Sequence, residues 1–336
     1  MRNGKQSEVV VVTGASAGLG RAIAHAFARE GARIGLLARG RAGLEGAKRE
    51  IEQLGGEALI VPTDVADAAA VEAAAAQVED KFGPIDIWVN NAMCSVFSPV
   101  KQMQPDEYKR VTEVTYLGFV YGSLAALKRM LPRDRGVIVQ VGSALAYRGI
   151  PLQSAYCAAK HAIQGFCDSL RCELLHDKSN VRVVMVQMPA MNTPQFDWVK
   201  SRLPRKAQPV PPIFQPEVAA DAVVYAAHSN RREVYVGGPT VEAVVGNKIA
   251  PAFADWYLSR NCFDAQQTDE PENPSRADNL YEPVDADRDH GTHGRFDSRS
   301  SDFSVQVWAN KNRNWLALGA VGLLGAACAA WWREEN

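Results

Sequence analysis

The chain has 336 residues, 47% hydrophobic and 22% charged, enough for one large or two modest domains with a sizeable core. A formal net charge of −1 gives no basic excess for nucleic acid and no imbalance that calls for a charged partner. Six scattered cysteines without C-x-x-C spacing argue against zinc ligation or a disulfide framework, and for reduced thiols.

The opening MRNGKQSEVVVV has no apolar stretch of signal-peptide length, and Val9 to Val12 is expected as a first strand. It runs into TGASAGLG, Thr13 to Gly20, and then an Ala-rich helix, the opening half of a βαβ unit. Glycines 14, 18 and 20 let the backbone turn tightly and approach a pyrophosphate at the helix N-terminus. Such a loop also serves plain tight packing. A second strand over Ala32 to Leu37 ends at Ala38-Arg39-Gly40-Arg41, where an NAD site would place a carboxylate for the ribose 2′-hydroxyl. Arg39 and Arg41 stand there instead, and guanidinium groups suit a 2′-phosphate, which favours NADP over NAD.

A helix from about Ala42 to Leu54 closes at Gly55-Gly56, and a short strand over Ala58 to Val61 leads to Thr63-Asp64-Val65. Ala68 to Phe82 is helical, and Ile85 to Val89 is a fourth strand ending in Asn90-Asn91-Ala92. One long helix is expected over Asp106 to Met130, then strands over Val137 to Val141, Val181 to Val186 and Glu233 to Val236. Alternating strands and helices imply an α/β, Rossmann-like, doubly wound and mostly parallel sheet.

The stretch SALAYRGIPLQSAYCAAK, Ser143 to Lys160, comes after the fifth strand, so Ser143 falls at a strand's C-terminal end, where open α/β sheets bind ligands. Tyr156 and Lys160 are one helical turn apart and share a face. An ammonium about 4–6 Å away favours the phenolate and brings the phenol toward acid–base use near neutrality. The same spacing also arises by chance, and the upstream motifs decide between the two.

TGASAGLG, Asp64-Val65, NNA, Ser143, Tyr156 and Lys160, in this order, resemble the short-chain dehydrogenase/reductase family, in its branch with TGxxxGxG spacing, over about residues 7 to 240. The resemblance implies that Gly14, Gly18 and Gly20, with Ser16 and Leu19 of the same loop, hold the pyrophosphate. Asp64 and Val65 would contact the adenine, Asn90 would brace the sheet and pocket, and Ala92, Pro189 and Thr193 would complete the cofactor site. Ser143 would hold the carbonyl or alcohol oxygen, Tyr156 would give or take the proton, and Lys160 would hold the nicotinamide ribose and lower the phenol's pKa. Thr115 occupies the position of the family's fourth catalytic residue, an Asn, and its hydroxyl offers fewer hydrogen bonds for a relay water. Met93 and Ala190 replace glycines of the family pattern.

Residues 192–216 carry Phe196, Trp198, Phe214 and six prolines among their apolar groups, the composition of a lid over a lipophilic ligand or of a solvent-facing loop stiffened by proline, with Arg202, Arg205 and Lys206 solvated. From 261 to 312 polar residues dominate, as in a flexible tether, although NLYEPVDAD is a stretch able to dock on the domain, and His290-Gly291-Thr292-His293 is expected as solvated loop. Residues 315–332, WLALGAVGLLGAACAAWW, are 18 without charge, roughly 27 Å of helix, flanked by tryptophans and by Lys311, Arg313 and Arg333. The expectation is a catalytic domain over 1–260, a tether over 261–312 and a membrane anchor over 313–333, with the domain on the cytoplasmic side. An oligomer helix in a homo-oligomer is the alternative for the apolar segment.

The whole predicts an NADP-dependent oxidoreductase that interconverts a ketone or aldehyde, lipophilic in character, and its alcohol, with no metal. The competing readings are a catalytically weak nucleotide-binding scaffold and a soluble reductase of sugar, polyol or acyl substrates.

Overall fold

The computed structural model describes residues 7–313 together with 315 and 316. Seven strands form one all-parallel sheet: β1 (Val9–Thr13), β2 (Arg33–Ala38), β3 (Glu57–Pro62), β4 (Ile87–Asn90), β5 (Val137–Val141), β6 (Arg182–Gln187) and β7 (Glu233–Tyr235). Their order across the sheet is β7-β6-β5-β4-β1-β2-β3. The chain runs outward from β1 to β3 and then returns to the other side of β1, so the direction of winding reverses between β1 and β4. A ligand crevice is expected at the C-terminal ends of these two strands.

The strands are apolar runs because both faces of the sheet are covered. Side chains alternate across β1: Val10 and Val12 face one core with α1 (Gly18–Arg29), α2 (Arg41–Gln53) and α7 (Pro216–Ala227). Val9 and Val11 face the other, with α3 (Ala68–Phe82), α5 (Gly118–Met130) and α6 (Ser154–His176). All four valines are essentially inaccessible to water.

The helix expected over Asp106 to Met130 is in three pieces: α4 (Pro105–Thr112), a π turn over Glu113–Leu117, and α5. A π turn accommodates one extra residue and re-aims the side chains around it. Here it turns Thr115 onto the backbone of Cys94, whose N–H it accepts at 3.0 Å and whose carbonyl it reaches at 2.9 Å.

The largest departure from expectation lies after α8 (Gly238–Ile249) and α9 (Pro251–Ala265). The segment expected as a flexible tether is laid along the domain as a strap. Gln267–Pro271 pairs with Arg205–Ala207, and Ser300–Ser301 pairs with Ile213–Phe214. Leu280 is 0% exposed, Phe296 3% and Val307 5%. The aliphatic residues are few but each of these anchors is buried, and several of the charged residues find partners on the domain. Asp289 pairs with the buried Arg21, and Arg276 donates to the carbonyls of Asp197 at 2.6 Å and Val199 at 2.8 Å. Arg205 and Lys206 pair with Asp264 and Glu270, and Arg202 with Glu107, so none of the three is simply solvated. The HGTH stretch is also engaged: His293 pairs with Glu217 at 3.0 Å and His290 packs edge-on to Trp198.

The apolar 315–332 stretch falls outside the described residues except for Trp315 and Leu316, both exposed. Among the described residues no helix is long and apolar enough to cross a membrane.

Phe296 tests the strap directly. Its ring meets Phe196 edge-on at 5.9 Å within an apolar cluster that includes Phe97 and Ile213. Phe296→Ala is expected to lower stability by about 3 kcal/mol, read as a fall in the urea midpoint. A strap hanging free of the domain would leave the midpoint where it was.

Candidate active site

A cleft of about 430 Å³ opens at the C-terminal ends of the strands, where β1 and β4 part. Its floor is the glycine loop. Gly14 has a φ of +68°, and a Cβ on it would stand 2.8 Å from the Ala92 Cα. On Gly20 a Cβ would stand 2.1 Å from the Gly14 carbonyl oxygen. The absence of side chains lets the N-terminus of α1 close onto the strand end, presenting backbone N–H groups and the positive end of the helix dipole to the cleft. Ser16, Gly18 and Leu19 line it with Gly14 and Gly20. Ala92, Met93, Pro189, Ala190 and Thr193 line it from the other strands.

Asn90 stands behind the cleft, fully buried. It accepts from the Trp88 indole at 2.8 Å and donates to Phe119 O, Ser123 Oγ and Gln140 Oε1 at 3.0–3.2 Å, tying β4 to β5 and α5. The carboxamide is thereby saturated and acts as a brace.

Ser143, Tyr156 and Lys160 meet on one wall. Ser143 accepts from the Leu145 N–H at 3.1 Å, and its hydroxyl is near enough to the Tyr156 phenol to act on its pKa. Its backbone N–H donates to Gln187 Oε1 at 2.7 Å, and Gln187 donates in turn to Glu233, which also accepts from Tyr147 and Tyr235. This partly buried chain of hydrogen bonds fixes the serine and has no local signature in the sequence, because Ser143 and Gln187 are 44 residues apart and Tyr147 and Glu233 are 86 apart.

Lys160 is 2% exposed. Its ammonium donates to the Val141 carbonyl at 2.7 Å and lies 4.6 Å from the Phe119 ring centre and 5.5 Å from that of Tyr156. Burial lowers its pKa to about 7. Burial raises the Tyr156 phenol, against a smaller lowering by the Ser143 hydrogen bond. The phenol is therefore shifted upward, opposite to the lowering expected from Lys160. Desolvation acts on both groups, and the ammonium is committed to Val141.

At the far end, Asp64 accepts from the Ala66 N–H at 3.0 Å and from Arg110 at 2.6 Å. Burial raises its pKa, but these two partners outweigh it and hold the carboxyl below its usual range. Arg39 lines the cleft beside Asp64 and Val65. Arg41 does not; it is 70% exposed and paired with Glu45. Nor does Thr115, whose hydroxyl is taken up by Cys94, so the relay role expected of it gives way to holding the 92–94 loop. Its place in a π turn explains this, since a regular helix would have aimed the side chain differently.

The strap also enters the site. Asn279, Pro283, Val284 and Asp285 line the cleft, and Gly291 O accepts from the Gly18 N–H at 3.0 Å. Sequence reasoning passed over these residues and Arg110, and only the docking capacity of NLYEPVDAD pointed toward them.

Glycine loop, helix terminus and a Ser–Tyr–Lys wall at the switch point define a nucleotide-binding oxidoreductase of Rossmann type. The short chain dehydrogenase family profile matches residues 8–202, and the chain belongs to the short-chain dehydrogenase/reductase family. It is 31% identical over 298 residues to an uncharacterized oxidoreductase of Bacillus subtilis, YxnA, spanning 88% of this chain and 84% of that one. It is 33% identical over 227 residues to a fatty acyl-CoA reductase of Acinetobacter baylyi, spanning 67% of this chain and 74% of that protein. Among solved structures, an actinorhodin polyketide ketoreductase with NADPH superposes with a TM-score of 0.62 at 27% identity, over 70% of this chain and 97% of that one. A metagenomic short-chain oxidoreductase in complex with NADP gives a TM-score of 0.57 at 30% identity, over 69% and 97%.

Lys160 makes stability depend on pH in a definite direction. Its folded pKa of about 7 lies below the ordinary lysine value of 10.5, so between them the unfolded chain binds more protons. Stability from this group is then greatest above 10.5 and falls as pH falls toward 7. The melting temperature of Lys160→Met minus that of the wild type should be largest near pH 6.5 and shrink steadily toward pH 10. A difference independent of pH would contradict a desolvated ammonium.

Proposed function

We propose that the protein is an NADP(H)-dependent reductase or dehydrogenase that interconverts a lipophilic ketone or aldehyde and its alcohol. The observation that carries this reading is the meeting of Ser143, Tyr156 and Lys160 on one wall of a cleft floored by the glycine loop. The nicotinamide would exchange the hydride. The residues must hold the substrate oxygen and move one proton. In the reductive direction, negative charge develops on the carbonyl oxygen, and the Ser143 hydroxyl and Tyr156 phenol are two donors that can converge on it. Tyr156 gives its proton to that oxygen and takes it back in the oxidative direction. The Lys160 ammonium, at the end of a side chain buried beside the Tyr156 ring, favours the phenolate left behind.

Several observations support the finer points. Arg39 in the cleft suits a 2′-phosphate, and the two superposed oxidoreductases hold NADP or NADPH. Phe97, Phe196, Trp198 and Leu258 give the substrate end an apolar wall. The Acinetobacter relative acts, by its name, on a fatty acyl group. The uncharged 315–332 stretch supports attachment to a membrane, with the cleft on the cytoplasmic side.

Tyr156→Phe is the direct test. It is expected to lower kcat by about 10²–10⁴-fold while NADPH quenching of tryptophan fluorescence is retained. Unchanged turnover would remove Tyr156 from the chemistry, and no turnover in the wild type on any ketone or aldehyde of a broad panel would favour a nucleotide-binding scaffold. For attachment, membranes from disrupted cells expressing the full chain should retain it through a carbonate wash. Release of the chain into the wash would place the apolar segment in a protein interface instead.

A further inference from the structure

The adenosine end of the cleft is finished by the strap, and the manner of its closure bears on which dinucleotide fits. Three consecutive carbonyls of the strap are held by two arginines of the domain. Asn279 O and Tyr281 O accept from the two terminal nitrogens of Arg39, at 2.5 and 2.6 Å, and Leu280 O accepts from Arg110 Nε at 3.0 Å. Leu280 is itself buried in the core, and the Tyr281 phenol donates to Asp106 at 2.7 Å. The strap is thus pinned on both sides of the site where the second strand ends.

Pinned in this way, it brings Asp285 to the N-terminus of α2. The carboxylate lies so close that a Cβ built on Gly40 would stand 1.8 Å from its Oδ1, and one on Gly43 2.8 Å from its Oδ2. The backbone holds this approach, with Gly43 N–H donating to Asp285 O and Ala42 N–H to Ala286 O, at 3.3 and 3.2 Å. Asp285 is 8% exposed and lines the cofactor cleft. Among the described residues its carboxylate has no hydrogen-bond donor and no ion-pair partner; it acts on Arg39 only at longer range. Its oxygens are not sealed from solvent, so they remain open to a donor that enters the cleft.

A vicinal diol supplies donors of the right kind, and a phosphate supplies only more negative charge. The end of β2 carries Ala38, so no carboxylate of the strand itself faces the ribose. We propose that Asp285, delivered by the strap, is a cofactor-selecting residue: it accepts from the 2′-hydroxyl of the adenosine ribose and disfavours a 2′-phosphate. The preference for NADP(H) that Arg39 favours is thereby narrowed, and NAD(H) is admitted as a working partner. This rests on the dehydrogenase reading and refines it at the adenosine end.

The test is a pair of titrations of the full chain, NADH and NADPH, monitored by fluorescence, in the wild type and in Asp285→Asn. The neutral amide is nearly isosteric, and it should tighten NADPH relative to NADH by about tenfold, the equivalent of 1.4 kcal/mol. Asp285→Ser removes the charge with a smaller side chain and must move the ratio in the same direction, with the melting temperature of each variant confirming that the strap is still docked. A ratio unchanged within about twofold in both folded variants, or one moved toward NADH, would overturn the proposal. If the wild type binds neither dinucleotide, the dehydrogenase reading itself fails. If it binds both and the ratio does not respond, only the role of Asp285 fails.

Discussion

Parallel pairing of β1 with β2 on one side and β4 on the other is the constraint that creates the site. The connections leaving β1 and β4 diverge, one toward the glycine loop and one toward the 91–94 loop, and the gap between them cannot be filled by either. Everything chemical is brought to that gap. Gly14 and Gly20 permit the approach of α1, Asn90 ties β4 to its neighbours, and Thr13 Oγ1 accepts from the N–H groups of Asn91 and Ala92 to fix the opposite lip. A side chain at Gly20 would push α1 off the strand end, and the anion-facing terminus would then be lost with the packing.

Electrostatically the wall opposite the glycine loop is built against the solvation preferences of its own members. Lys160 is buried with one carbonyl and two aromatic faces for company, and Tyr156 sits half-buried beside it. Desolvation favours the neutral form of each. Both neutral forms are competent for proton traffic: a phenol with a proton to give, and an amine whose pKa of about 7 lets it gain or lose one near neutrality. The rigid part of the assembly is Ser143, held from behind by Gln187 and Glu233. On the proposed reading, a serine so fixed would direct the substrate oxygen toward Tyr156 without needing the lysine to do so.

Much of this was legible in the residues themselves. Valine-rich runs between glycine-rich turns mark the strands to within a residue or two, because strands buried on both faces carry no polar alternation to confuse the reading. The i, i+4 spacing of Tyr156 and Lys160 sets them on one face, and the structure keeps them there. Thr115 could not be read correctly, since a five-residue π turn over Glu113–Leu117 is an interruption that helical periodicity does not announce. The strap was missed for another reason. Its buried anchors Leu280, Phe296 and Val307 are too far apart to form a pattern, and the partner of Asp289 is Arg21, 268 residues earlier. Composition reports how much core a segment can make alone, and says little about how well it fits a core made by others.

The strap alters what a solitary arginine at the end of β2 means. Read locally, Arg39 is a free cation awaiting a phosphate. In the folded chain both terminal nitrogens of its guanidinium already have acceptors, and they are backbone carbonyls that carry partial charge only. Burial and the neighbouring Arg110 lower the guanidinium from its usual range, with Asp64 and Asp285 opposing. The positive potential at this end is therefore shared among two arginines and two carboxylates, one of which, Asp64, is already paired with Arg110. A 2′-phosphate would enter beside two carboxylates as well as two arginines, and a hydroxyl would find in Asp285 an acceptor without a donor. On the role proposed for Asp285, selection between dinucleotides would turn on that difference, and a residue far along the chain would bear on it together with Arg39 beside the strand.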